Sequence, residues 1–177
     1  MTQQRPDIFL WENKEWAFTG ASDIYSLFDP AAFGLKPYSN CSNCWKGFLV
    51  GFALRDGELY LDWLRVNQKD DDYPVINGIE AVQDDYFHIY RNLNLRLRYT
   101  GTMVIGREFD EWFAGRSTVG PYLYKIKYDL RFEDGVLQEA GDTTGSYGSM
   151  FDFRGIYDDE GHVKPEFLKM ISEPDDD

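Results

Sequence analysis

The stretch from Gly47 to Val66 is written as one β-hairpin: Asp56-Gly57 stands at its centre, and apolar residues alternate outward along both arms. An Asp-Gly pair supplies the two positive-φ positions of a type I′ turn, whose twist matches two antiparallel strands. The turn sets the register and places Arg55 opposite Glu58. Counting outward puts Phe48, Val50, Phe52, Leu54, Leu59, Leu61 and Trp63 on one face, and Gly51, Arg55, Glu58 and Asp62 on the other. One face suits a core and the other mostly water, the pattern of an antiparallel sheet rather than of a parallel sheet covered on both sides.

The same logic returns near the other end of the chain. Tyr122, Tyr124, Ile126, Tyr128, Leu130 and Phe132 alternate with polar residues, Asp134-Gly135 follows, and Glu133 then faces Val136 while Phe132 faces Leu137. The two hairpins are alike in geometry, and the residues they share are too few to claim a duplication. Ile8 to Trp11 and Trp16 to Phe18 flank a further turn, and Leu93, Leu95 and Leu97 alternate as a half-buried strand does. Ser22 to Phe28 reads as a capped short helix ended by Asp29-Pro30, and Asn77-Gly78 as a turn. Thr102 to Ile105 is a short strand, Glu108 to Phe113 a helical turn, Met150 to Arg154 a last strand and Pro165 to Ile171 a short proline-started helix. About eight to ten strands are too many for one flat sheet of this size. The expected fold is mainly β, an antiparallel barrel or two-layer sandwich with one or two short helices, forming a single domain over 1–177 with a flexible acidic tail at 173–177.

Acidic residues outnumber basic ones by 31 to 18, a formal charge of −13. Nucleic acid is not an expected partner, because a phosphate-binding surface needs clustered Lys and Arg, and here they are scattered among carboxylates. No apolar run reaches the length of a membrane span or of a signal-peptide core, so a cytoplasmic protein away from membranes is expected. The acidic runs fall in loops, at Asp70, Asp71 and Asp72, at Asp84 and Asp85, and at Asp158, Asp159 and Glu160. Loops are where binding concentrates, and an acidic surface steers a basic protein partner, so these eight residues are the candidate partner-binding set.

Cys41-Ser-Asn-Cys44 has the spacing of half a zinc site, which makes Cys41 and Cys44 the candidate metal ligands. The chain has no further Cys, and His88 and His162 do not form a paired motif, so reduced, partly buried thiols are the simpler reading. Gly141 to Ser149 lacks a Walker lysine and the Gly-x-Ser-x-Gly spacing of a nucleophile elbow. Asp158 to His162 lacks the order of a calcium loop. No catalytic residue and no cofactor is identified. Trp45, Tyr60, Trp63 and the tyrosines at 122–128 offer a stacking platform, although Trp63 and the tyrosines fall on inward faces where core packing explains them.

Pro6 to Trp11, Trp45 to Phe48, Asp56 to Leu61, Asn77 to Ile79, Tyr99 to Gly101, Ile105-Gly106 and the 122–137 hairpin resemble a group of small uncharacterised bacterial β-rich proteins. The resemblance implies a stand-alone cytoplasmic β-rich domain and carries no activity onto these positions. Small single-domain size, strong negative charge and the lack of a recognisable catalytic constellation lead to the expectation of a non-enzymatic protein-binding or inhibitor protein, similar in role to the immunity proteins that neutralise bacterial toxins. The alternatives are a small-ligand-binding β-barrel and a carboxylate- or metal-dependent hydrolase.

Overall fold

Both Asp-Gly pairs turn as their residues require: φ is 50° and 78° at Asp56 and Gly57, and 47° and 79° at Asp134 and Gly135. The computed structural model describes residues 4–111 and 120–145. These fall in one compact unit, Met1–Gly145, and Ser146–Asp177, with the strand expected at Met150 to Arg154, the helix at Pro165 to Ile171 and the acidic tail, lies outside the described residues. In chain order the strands are β1 (Asp7–Trp11), β2 (Lys14–Ala21), β3 (Phe48–Arg55), β4 (Glu58–Val66), β5 (Val82–Asp84), β6 (Phe87–Tyr90), β7 (Leu95–Arg96), β8 (Gly101–Phe109), β9 (Tyr124–Glu133) and β10 (Val136–Asp142). A one-turn helix, α1 (Ile24–Leu27), follows β2 and is capped by the Asp23 carboxylate, which accepts from Ser26 N. Strand β8 continues through Glu108 and Phe109, where a helical turn was expected, and Tyr122 sits in a 3₁₀ turn ahead of β9 rather than in the strand.

The protein is mainly β, and its strands make one large mixed sheet in the order β10-β9-β8-β2-β1-β3-β4-β6-β5, with β7 beside β4. The expectation of purely antiparallel pairing is corrected at one place. β1 and β3 run parallel, with Ile8, Phe9 and Leu10 beside Gly51, Phe52 and Ala53. Residues 22–47 leave the end of β2 and pass the start of β1 at the same end of the sheet, so the parallel pair needs no crossover helix. Alternation reports which face a residue takes and carries nothing about which strand lies beside it, so this neighbour was not readable.

The central hairpin keeps its expected register from Arg55↔Glu58 out to Phe52↔Leu61, and then slips, because Gly51 pairs with Trp63 and leaves Asp62 as an extra residue. This bulge reverses the expected face of Trp63. Beyond it Leu64 and Val66 are fully buried, as are Leu59 and Leu61 before it. Burying an aliphatic side chain is worth about 1.5–3 kcal/mol, so seating both Leu64 and Val66 outweighs seating Trp63 alone. Trp63 instead covers the outer face of β3, where its ring occupies the space above Gly51: a Cβ there would stand 2.0 Å from the indole Nε1. It packs with Cys41, Cys44, Leu49 and Phe87 in a small second cluster, so β3 is buried on both faces. The main core holds Phe9, Phe52, Tyr90, Tyr99, Met103, Leu130 and Phe132.

The two Asp-Gly turns meet. Leu59 N donates to Gly135 O at 2.8 Å, and Leu137 N donates to Gly57 O at 2.8 Å, pairing β10 with β4 at Val136↔Glu58. The chain around β7 wedges between them: Leu97 N donates to Leu59 O at 2.9 Å, and Gly135 N to Tyr99 O at 2.7 Å. Arg96 spans the junction, its Nε donating to Glu58 Oε1 at 2.8 Å and its Nη2 to Asp134 O at 3.1 Å. Arg98 grips the Asp134 carboxylate with two donors, at 2.9 and 3.3 Å. These guanidinium bonds hold the Glu58 and Asp134 carboxyls below the ordinary carboxylate range.

The junction distinguishes two glycines of the same backbone conformation. A Cβ at Gly57 meets nothing within 4 Å, whereas one at Gly135 stands 1.9 Å from the carbonyl oxygen of Leu97. Gly57→Ala is expected to cost about 1–2 kcal/mol, the penalty of a left-handed residue with a side chain. Gly135→Ala is expected to cost about 2 kcal/mol more, because its backbone must move off its partners. Urea denaturation of both variants measures this, and equal losses would show that the junction does not constrain the turn.

Candidate functional site

The loop between β4 and β5 would be free to wander on composition alone, yet it is tied down along its length. Tyr90, from β6, donates its hydroxyl to Pro74 O at 2.7 Å, Asn77 Nδ2 donates to Leu93 O at 2.7 Å, and Gln68 N donates to the Tyr73 hydroxyl at 3.2 Å. The Tyr73 ring stacks on His88 at 3.8 Å between centroids. Three of the candidate acidic residues thereby gather at the β5–β6 end of the sheet. Asp71 stands 3.9 Å from His88 Nε2, Asp84 is 3.1 Å from Arg65 Nε and 3.9 Å from Arg91, and Asp85 is 3.8 Å from Arg65. Arg65 lies over the Phe87 ring at 4.9 Å, which fixes the cation beneath the hairpin. Asp70 and Asp72 flank Asp71 on the same loop.

Asp71 and Asp85 remain 84% and 82% exposed at their side chains, and beside them on the hairpin Tyr86 is 83% and Val82 58% exposed. The corner therefore combines solvated carboxylates with an uncovered Val82 on the last strand of the sheet and an uncovered Tyr86 in the turn after it. Asp84 differs, since Arg65 and Arg91 engage its carboxylate. Asp158, Asp159 and Glu160, the rest of the candidate set, lie outside the described residues.

Cys41 and Cys44 lie on a turn in which Cys44 N donates to Cys41 O at 3.5 Å. Both are free thiols. Cys44 is buried and donates its Sγ hydrogen to Phe48 O at 3.3 Å, and burial, reinforced by the neighbouring Cys41, pushes its thiol pKa up. Among the described residues no group of three or more His, Cys, Asp or Glu is arranged to hold a metal ion. The pair packs under Trp63 and Phe87.

Beside this turn lies a groove of about 340 Å³, lined by Gln4 to Asp7, Phe18 to Gly20, Ile24 and Cys44 to Lys46. Pro6 explains its origin. Lacking an N–H, proline cannot extend the β1–β2 ladder, which ends at Asp7↔Phe18, and the chain ahead of it leaves β2 for the cysteine turn. There Gln4 Nε2 donates to Ser42 O at 2.8 Å, Arg5 N to Asn43 O at 2.9 Å, and Trp45 N to Gln4 Oε1 at 2.9 Å. Asp7, buried at the floor, accepts from Val50 N at 2.9 Å and from Lys46 Nζ. Nothing in the sequence pattern announced the groove, although an exposed Trp45 was foreseeable because the residue falls outside both alternating runs.

Tyr60, the other aromatic left open by the alternation, belongs to the turn junction. Its hydroxyl donates to Glu58 Oε2 at 3.1 Å, and that bond raises its pKa. Of Gly141 to Ser149, residues 141–142 extend β10 and Ser146 lies outside the described residues. No family model, no curated protein and no solved structure matches the chain.

Two measurements follow from these environments. Burial pushes Tyr90 from the ordinary value of 10.0 up to about 12, with Tyr73 and Asp72 adding to the rise. The unfolded chain therefore releases this proton first, so stability intact below pH 10 should fall by about 2–3 kcal/mol as pH rises toward 12. Tyr90→Phe should lose about 1 kcal/mol at neutral pH with its Pro74 bond and should flatten the alkaline decline, as followed by denaturation midpoints. Iodoacetamide at about pH 8 should label Cys41 well before Cys44, because Cys44 is both covered and held as thiol. Peptide mass spectrometry reads the order, and equal rates would contradict the burial of Cys44.

Proposed function

We propose that this protein is a non-enzymatic binding or inhibitor protein that presents its acidic corner to a basic protein partner, in the manner of an immunity protein acting in the cytoplasm. The observation that carries the reading is the assembly of Asp71, Asp84 and Asp85 around His88 and Arg65, beside exposed Tyr86 and Val82. Carboxylates alone are weak contacts. A Tyr and an aliphatic side chain on the same hairpin supply apolar area to bury, and the neighbouring charge orients and accelerates the encounter. Exposed rim charges act mainly on the association rate and its salt dependence, so an inhibitor using this corner captures its target fast at low ionic strength.

The same reading takes the β10–β4 contact as closing the sheet into a barrel. The reciprocal bonds between the two turns support it, because they join one terminal strand of the sheet to a strand near the other end. A closed body with one rigid hairpin at its margin would hold the corner in a fixed shape. A small-ligand-binding role is favoured by a different observation, the groove beside Trp45, whose volume is within the range of small-molecule sites.

The test compares wild-type protein with Asp71→Lys/Asp85→Lys/Tyr86→Ala as baits in extracts of the source cell. The expected result is a basic protein held by the wild type at low salt, released as ionic strength approaches about 0.5 M and not recovered on the triple variant. Its purified form should then bind with an on-rate that falls steeply with salt. Identical capture by wild type and variant would overturn the assignment of the corner.

A further inference from the structure

We infer that the groove between the Gln4–Asp7 segment and the Phe18–Gly20 segment is a binding site for a small aromatic carboxylate, independent of the acidic corner and of the partner proposed for it. The walls are apolar. Pro6, Phe18 and Ile24 line it together with Trp45, 58% of whose surface is uncovered. A half-exposed indole held by its backbone bond to Gln4 presents a flat face, and a flat ring buries the most area against it at the least entropic loss.

The charges at the mouth select the sign of the ligand. Among the described residues that line the groove the one carboxylate is Asp7, and both its oxygens are already engaged, one by Val50 N and the other by Lys46. It does not compete for a cationic ligand, and it neutralises only one of the two cations among the described lining residues, Arg5 and Lys46. Arg5 is exposed and pairs with no carboxylate among the described residues, whereas Arg55, Arg65, Arg96, Arg98 and Arg131 each do. Cys44 adds no charge, because burial holds it as thiol. In a chain of formal charge −13, the groove is thus a local cationic spot over an apolar cleft. A guanidinium suits a carboxylate bidentately, so the ligand that satisfies both halves is a fused or single aromatic ring bearing one carboxylate.

The probe is 2-naphthoate, with neutral 2-naphthamide as its control, followed by calorimetry and by amide spectra of the full chain. Naphthoate is expected to saturate one site at millimolar concentration or below, about tenfold more tightly than the amide, and to shift Gly20, Ile24 and the Trp45 indole N–H. Arg5→Gln, an exposed change, should bring naphthoate down to the affinity of the amide and leave the amide unaltered. Trp45→Ala should weaken both. Equal binding of acid and amide, shifts located away from the groove, or no saturation would each overturn the site. So would the same shifts appearing on concentrating the protein without probe, which would identify a second copy as the occupant. Loss of partner capture by the corner variant has no bearing on these titrations, so the two proposals stand or fall separately.

Discussion

The fold depends on two backbone hydrogen bonds exchanged between hairpin turns that are nearly eighty residues apart in the chain. Leu59 N to Gly135 O and Leu137 N to Gly57 O set the two Asp-Gly turns against one another. Each turn alone would be an exposed tip, the place where strands fray. Joined, each supplies partners for the other, and the intervening segment of Leu95 to Tyr99 is clamped between them through Leu97 N and Tyr99 O. The arginines on that segment then act on a geometry already fixed. Arg96 and Arg98 are partly or largely exposed, so their ion pairs add little stability by themselves, and their main effect is to orient the Glu58 and Asp134 carboxylates at the seam.

The hairpins were legible because their information is local. An Asp-Gly turn and a period of two specify register within a few residues, and Arg55↔Glu58 and Glu133↔Val136 follow directly. What failed was the assumption of an unbroken period. Leu64-Arg65-Val66 is itself an alternating run out of phase with Trp63, and the conflict marks the place where Asp62 is looped out. A bulge was therefore present in the pattern as a contradiction. The parallel β1–β3 pair left no such trace, since adjacency in a sheet is settled by contacts between segments far apart in the chain, here joined by a long connection of mixed composition.

At the candidate sites the division is similar. The residue types of the acidic corner could be picked out as charged loop residues, but not their convergence, which depends on Tyr90 fastening a loop at Pro74 and on Arg65 reaching from β4 to the β5–β6 hairpin. The cysteine spacing suggested a ligand pair, and in the fold both residues pack beneath Trp63. That packing follows from the bulge: once Trp63 is turned onto the outer face of β3, its own ring needs apolar neighbours, and the turn of Cys41 to Cys44 provides them.

This turn also links the two surfaces. On one side Asn40 Nδ2 donates to the carbonyl of Tyr86 at 3.0 Å and Cys44 packs with Phe87, so the turn braces the hairpin that carries Asp84 and Asp85. On the other side Ser42, Asn43 and Trp45 hold the Gln4–Arg5 segment away from β2 and so keep the groove open. A single irregular element, stabilised by a displaced tryptophan, thus shapes both the acidic corner and the cationic cleft. The two are kept apart in charge because Lys46 is spent on buried Asp7 and Arg65 on Asp84, leaving Arg5 exposed at the cleft and Asp71 and Asp85 exposed at the corner. Shape alone would let either surface accept many occupants. On the readings proposed above, this separation of exposed charge on a shared support is what would give each surface a different class of ligand to attract.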